Sequence, residues 1–208
     1  VKFVVISDTH GQHNAFSLPE GDVIIHAGDV SNIGKPIEII QFLNWFESLN
    51  YQHKIFIAGN HDFFFENASA SDIEAIIPPS VYYLNDSCKV IDNIKIWGSP
   101  ITPWFHNWAF NRQRGKEIDL HWDKIPSDTD ILVTHGPADT ILDKTTRGIH
   151  TGCTGLLEKI RDIKPKYHIC GHIHEAFGVY ETSDTTFINA SLLDENYRVK
   201  NKPVIFEI

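Results

Sequence analysis

Five short polar clusters hold the chemistry that this sequence can do. Asp8-Thr9-His10 follows the run VVIS, Gly28-Asp29 closes VIIHA, and Gly59-Asn60-His61-Asp62 follows IFIA. His135-Gly136-Pro137 follows ILVT, and Gly171-His172-Ile173-His174 follows HIC. Carboxylate, amide oxygen and imidazole without thiolate suit Mn, Fe or Zn held for reaction rather than a structural zinc site. Seven such side chains (Asp8, His10, Asp29, Asn60, His135, His172 and His174) are too many for one ion and suit two that share a carboxylate. Two ions roughly 3.5–4 Å apart form a clamp for in-line displacement at phosphorus, polarising the phosphoryl oxygens and activating water.

Chance sets how much weight each cluster bears. For this composition a DxH is expected about once anywhere, a GHxH roughly 0.04 times and a GNHD roughly 0.004 times. A second DxH, Asp119-Leu120-His121, has no strand-like run before it and reads as a decoy. The ordered set of five is much harder to obtain by accident.

The elements that must position these residues are also legible. Short β-branched runs recur at Val1–Ile6, Val23–His26, Lys54–Ala58, Val81–Leu84, Lys89–Trp97, Ile131–Thr134 and Tyr167–Cys170. Gly178–Glu181, Thr185–Ile188 and Val204–Ile208 complete the series, all bounded by turn-forming residues. Asp92-Asn93 marks a hairpin turn inside the fifth run. Helices are expected at Pro36–Asn50, with Ile39, Phe42, Leu43 and Phe46 on one face, at Ala70–Ile77, and at Gly155–Ile163 before Pro165. Strand and helix alternate early and strands dominate late, which predicts an α/β domain with a mixed sheet system. In open sheets of this class, loops converge beyond the carboxyl ends of the strands. Residues two apart on a strand point the same way, so DxH and HxH can each grip a common centre.

Bulk properties bound the reading. At 208 residues and 42% hydrophobic, one core and a single domain over residues 1–208 are expected. Eighteen Lys plus Arg against 27 Asp plus Glu give a formal charge of -9, which argues against a broad basic face for duplex nucleic acid. A small anionic substrate stays compatible, because bound cations reverse the field locally. No apolar run reaches the ~20 residues of a membrane span, and VKFVVIS is too short for a signal segment. Three scattered cysteines without CxxC predict a reduced, cytoplasmic protein. Met is absent, initiator included, leaving room for native residues before Val1.

The five motifs, in this order, resemble the calcineurin-like metallophosphoesterase superfamily from Val1 to His174. WGSPITPWFHNWAFNRQRG (Trp97–Gly115), THGPAD (Thr134–Asp139), TGCTGLL (Thr151–Leu157), GHIHEAFG (Gly171–Gly178) and the ending INASLLDENY…PVIFEI extend the likeness to the C-terminus. They are similar to its brain-239-like metallophosphoesterase-domain branch. The resemblance implies two mixed β-sheets packed as a sandwich and flanked by helices. It also implies one metal on Asp8, His10, Asp29 and His174, and a second on Asp29, Asn60, His135 and His172, with Asp29 bridging. His61 then faces the substrate and donates a proton to the leaving alkoxide, while Asn60 both ligates and orients a phosphate oxygen. The reaction implied is binuclear hydrolysis of phosphate esters, with phosphodiesters, cyclic nucleotides among them, preferred on the branch likeness. The alternatives are a phosphomonoesterase or protein phosphatase, or an interaction module that has lost catalysis.

Outside the motifs, Arg114 in its family-like RG pair is a candidate anion clamp. His150, Gly152 and Cys153, in the loop before a helix N-terminus, are candidate substrate contacts. His26 reads as a satisfied core histidine, and Asp62 either orients a neighbour or caps the turn after it. Trp97, Trp104, Phe105, Trp108 and Phe110 read as core and loop packing, with room for one ring in the pocket. The decoy supplies a control: Asp119→Ala and His121→Ala should leave the metal content of reconstituted protein at the wild-type level, and a fall in stoichiometry would place that DxH in the site.

Overall fold

Alternation along the strands organises the structure, a computed structural model describing residues 1–208. The first four strands are β1 (Lys2–Ile6), β2 (Val23–Ala27), β3 (His53–Ile57) and β4 (Val81–Tyr83). Then come β5 (Ser87–Ile91), β6 (Ile94–Ser99), the short β7 (Thr102–Pro103) and β8 (Asn111–Arg112), and β9 (Ile131–Thr134). The last are β10 (Tyr167–Cys170), β11 (Gly178–Glu181), β12 (Thr186–Asn189) and β13 (Val204–Glu207). Helices α1 (Pro36–Ser48), α2 (Phe63–Asn67), α3 (Ala70–Ile76), α4 (Lys116–Trp122) and α5 (Thr154–Ile163) lie between them.

Two large mixed sheets result. The first has the order β13-β1-β2-β3-β4, parallel from β1 to β4 with β13 antiparallel at the edge. The second runs β11-β12-β10-β9-β6-β5, parallel in its inner four strands and antiparallel at both edges. Within β1, Phe3 and Val5 join one apolar cluster while Val4 and Ile6 join another, as period two requires. Ile25, Ile55 and Ile57 of the first sheet share their cluster with Ile96, Val133 and Ile169 of the second. Each such side chain stabilises the sandwich by about 1.5–3 kcal/mol relative to exposure. Phe42, Leu43 and Phe46 of α1 belong to the other cluster with Phe56 of β3, whose ring lies 5.3 Å from that of Phe42. Leu156, Leu157 and Ile160 of α5 and Trp122 of α4 share that cluster with Leu132 of β9 and Phe187 of β12.

The expected sandwich of mixed sheets with flanking helices is therefore present. Strands β9, β10 and β11 match their predicted spans residue for residue. The Lys89–Trp97 run divides into β5 and β6 about Asp92 and Asn93, whose positive φ values of 47° and 65° suit a tight hairpin. Helix α1 stops at Ser48 rather than Asn50, and α2 and α4 were not foreseen. The second DxH lies in α4, where residues two apart point in different directions. His121 Nδ1 sits 2.6 Å from Asp86 Oδ2, while Asp119 lies against Gly155, so the pair shares no centre. No helix is long and apolar enough to cross a membrane.

Candidate metal centre

Each polar cluster leaves the carboxyl end of a strand. Asp8 and His10 follow β1, Asp29 follows β2 and Asn60 follows β3, three neighbours in the first sheet. His135 follows β9 and His172 and His174 follow β10, neighbours in the second. Asp8, His10, Asp29 and His172 adopt positive φ of 55°, 42°, 56° and 68°. Such backbone costs of order 1–3 kcal/mol per residue and persists only where surrounding structure enforces it. Glycines allow the close approach: a Cβ on Gly59 would lie 2.3 Å from Asp29 Oδ1, and one on Gly171 would lie 2.1 Å from Asp8 Oδ2.

Three groups of ligand atoms form, each with all members within 4.8 Å of one another: Asp8-His10-His174, His10-Asp29-His61 and Asp29-His135-His172. His10 and Asp29 link the groups into one chain. Asp29 Oδ2 lies 3.2 Å from His135 Nε2 and 3.7 Å from His10 Nε2, so one carboxylate oxygen reaches both halves. Asn60 Oδ1 lies 2.9 Å from the same His135 nitrogen.

Hydrogen bonds outside the cluster orient these rings. His135 Nδ1 donates to Ala27 O at 2.9 Å and His174 Nδ1 donates to Asp194 O at 2.9 Å. A neutral imidazole so anchored turns a bare Nε2 lone pair inward. That of His135 meets Asn60 and Asp29 oxygens; that of His174 meets His10 Nε2 at 3.3 Å and Asp8 Oδ1 at 3.4 Å. Only a proton or a cation between such atoms makes the contacts attractive, so the donor set fits metal ions.

The pKa shifts carry the same signature. Burial opposes charge on His135, but Asp29 as neighbour and hydrogen-bond partner, with Asp8, holds it up at about 9. Burial also opposes charge on His174, and Asp8 raises it to about 9. Burial drives His10 down to about 4 and His172 down to about 3. Burial works to raise Asp8 and Asp29, yet His174 beside Asp8 and His135 beside Asp29 hold both below the usual carboxylate range.

Several residues support the cluster, of which Ser191 and His168 escaped the sequence reading. Asp62 accepts Gly59 N, Val30 N, Ser31 N and Ser31 Oγ, tying the Asp29 loop to the Asn60 loop, and makes no side-chain cap to α2. It orients neighbours. Ser191, beyond β12, donates to Asp8 Oδ2 at 2.8 Å, while His172 N also donates to that carboxylate. The polar ending INAS after an apolar strand was its signal. His26 Nε2 lies 3.0 Å from Thr9 Oγ1, between Asp8 and His10, and His168 Nε2 lies 2.8 Å from Thr134 Oγ1, beside His135. The buried Nδ1 of each has no partner, so His26 is satisfied at one nitrogen only.

Arg114, His150, Gly152 and Cys153 come together in a neighbouring loop. Arg114 donates to the carbonyls of Gly152 and Thr151, both at 2.7 Å. Buried Asp143 accepts from His150 Nδ1 at 2.6 Å and Gly152 N at 2.9 Å, and buried Cys153 Sγ accepts from Trp122 Nε1. Among the aromatics, Trp97 and Phe110 are core, whereas Phe105 lies 5.1 Å from the His172 ring and Trp108 lies 4.3 Å from His61.

Known proteins place this geometry. The calcineurin-like phosphoesterase sequence family matches residues 1–176. Human metallophosphoesterase domain-containing protein 1 is 37% identical over 230 aligned positions, covering 100% of this chain and 71% of that protein. A UPF0046 protein of Caenorhabditis elegans is also 37% identical, covering 100% of this chain and 81% of that protein. Phosphopantetheinyl hydrolase from Mycobacterium tuberculosis shares the fold, with a TM-score of 0.62 at 14% identity over 94% of this chain and 90% of that one. The chain thus belongs to the calcineurin-like phosphoesterase family, whose members are metal-dependent hydrolases of phosphoesters.

Proposed function

We propose that this enzyme hydrolyses phosphodiesters at a two-metal centre. One ion is assigned to Asp8, His10, Asp29 and His174, the other to Asp29, Asn60, His135 and His172. The observation that carries this assignment is the reach of Asp29 Oδ2 to both His10 and His135, within groups that share His10 and Asp29. Bound there, two cations supply positive charge to the phosphoryl oxygens and acidify water for attack at phosphorus.

His61 is assigned to the leaving group. Its Nδ1 donates to Asn32 O at 2.6 Å, which fixes the ring and frees Nε2 for proton transfer. Trp108 packs against the ring and leaves it partly exposed, as a group meeting substrate must be. Asn60 holds its carboxamide oxygen toward His135, in place to ligate, which leaves its Nδ2 to donate to a phosphoryl oxygen.

The diester preference rests on likeness to the brain-239-like branch and on charge. A monoester dianion brings one more negative charge than a diester, and both arginines of β8 and the loop after it are engaged elsewhere. Arg112 bonds Glu66 and Asn111 O, and Arg114 bonds the 151–152 carbonyls. Manganese is the proposed metal, cyclic nucleotides are candidate substrates, and three unpaired thiols suit a reducing, cytoplasmic setting.

Turnover of bis-nitrophenyl phosphate by Mn-reconstituted protein should exceed that of nitrophenyl phosphate. A preference for the monoester would replace this reading by a phosphomonoesterase or protein phosphatase. Metal analysis should approach two ions per chain, and Asp29→Asn should depress both occupancies together with turnover, because both ions lose a shared charge. Loss of one ion at near-normal activity would move the bridge elsewhere. His61→Ala should retain both ions while turnover drops by about 10²–10⁴, the scale of general acid catalysis. That loss should shrink for nitrophenolate and grow for alkoxide leaving groups. An equal loss for both would reassign His61 to phosphate positioning, and loss of an ion would make it a ligand.

A further inference from the structure

Tyr197 lies beyond the residues 1–176 matched by the family, yet its ring reaches the candidate centre. It stands edge-on to His10 at 4.7 Å and 77° and to His174 at 5.3 Å and 72°, and lies 6.3 Å from His61. Half its surface stays open, at 45% exposure. One part of the ring therefore packs on His10 and His174 near His61, and the rest is open to solvent.

The backbone holds this ring more firmly than a solvent-facing tyrosine requires. Residues 194–198 form a turn closed by the Leu193–Val199 bridge and by hydrogen bonds from Asp194 N to Arg198 O and from Tyr197 N to Asp194 O. Asp194 Oδ1 accepts from Asn196 N and Arg198 N, both at 2.9 Å. Two further bonds moor the turn to the site: His174 Nδ1 donates to Asp194 O, and Gln12 Nε2 donates to Tyr197 O at 3.0 Å. Tyr197 itself has a φ of 59°, a region that bulky residues seldom occupy. Strained backbone, a moored turn and a half-open ring against three site histidines coincide at one residue.

We infer that Tyr197 is a specificity-determining residue that contacts the organic group of the ester and favours planar aromatic or heteroaromatic groups. The inference rests on the two-metal reading above. The metal loops present charge to the phosphoryl group, which all phosphoesters share, so they do not distinguish the organic groups. Aromatic surface beside the centre does, and it comes from two separate segments. Trp108 in the loop between β7 and β8 flanks His61, and Tyr197 flanks His10 and His174. A flat ring gains offset or edge contacts with such walls, whereas a small alkyl group leaves them unfilled.

Phenylphosphonate and methylphosphonate carry the same charged group with and without a ring, and neither is hydrolysed. Calorimetric titration of each into Mn-reconstituted wild type should give tighter binding of phenylphosphonate. Tyr197→Ala should keep wild-type metal content and methylphosphonate affinity while losing about 2- to 10-fold of the phenyl preference, the scale of one aromatic contact. Tyr197→Phe should retain the preference. An unchanged preference in Tyr197→Ala, or an equal loss for both phosphonates, would overturn the inference alone, the second outcome making Tyr197 a buttress for His10 and His174. Binding of neither ligand by metal-loaded wild type would instead overturn the two-metal reading and this inference with it.

Discussion

Electron pairs facing electron pairs are the constraint around which the rest of this structure is arranged. Four imidazole nitrogens, two carboxylates and an amide oxygen converge in a buried space, with oxygen–nitrogen separations down to 2.9 Å. Without positive charge between them, such contacts repel. Protons on His135 and His174 make these contacts attractive: the Asp29 and Asp8 carboxylates hold both rings up at about 9 against burial, whereas burial drives His10 and His172 down. The same arrangement that raises two histidines is the one that two cations would satisfy better, since each cation replaces a proton and carries more charge.

Such an arrangement needs a rigid frame, and the sandwich provides it. Four candidate ligands come from one sheet and three from the other, so their spacing depends on how the sheets pack. Branched aliphatic side chains fill that interface. Cross-sheet hydrogen bonds then set the fine register: His135 Nδ1 reaches Ala27 O and His172 N reaches the Asp8 carboxylate. Positive φ at four candidate ligands is tolerable in this setting because packing on both sides leaves the loops little alternative.

How much of this was legible follows from the range of each interaction. Strand runs and their polar ends are local patterns, so the sheets, the Asp92-Asn93 hairpin and the convergence of seven ligand-type residues could be read directly. Helix α2 has only five residues, too few for a periodic stripe, and α4 went unseen as well. Hydrogen bonds spanning the chain leave at most a polar strand end, which does not name the partner. Ser191 meets Asp8 across 183 positions, and Asp62 meets Val30 and Ser31 across 32 and 31. Arg114, His150 and Gly152 do form a cluster, but its organiser is Asp143, whose burial no spacing rule reveals.

The site is covered asymmetrically, and this bears on how specificity can arise in such a fold. The Asn60 and His172 side lies under the loop between β7 and β8: Ala109 N donates to Asn60 O, and Phe105 packs on His172. The His10 and His174 side lies under the turn at 194–198. Neither cover supplies a candidate metal ligand, and each is fixed by backbone contacts to the loops that do. Residues in the covers can therefore change with little cost to the electrostatics of the centre, whereas any change to Asp8, Asp29 or their histidine partners disturbs all of it. Chemistry and selectivity are thus carried by different parts of the chain, joined by a few hydrogen bonds at the rim.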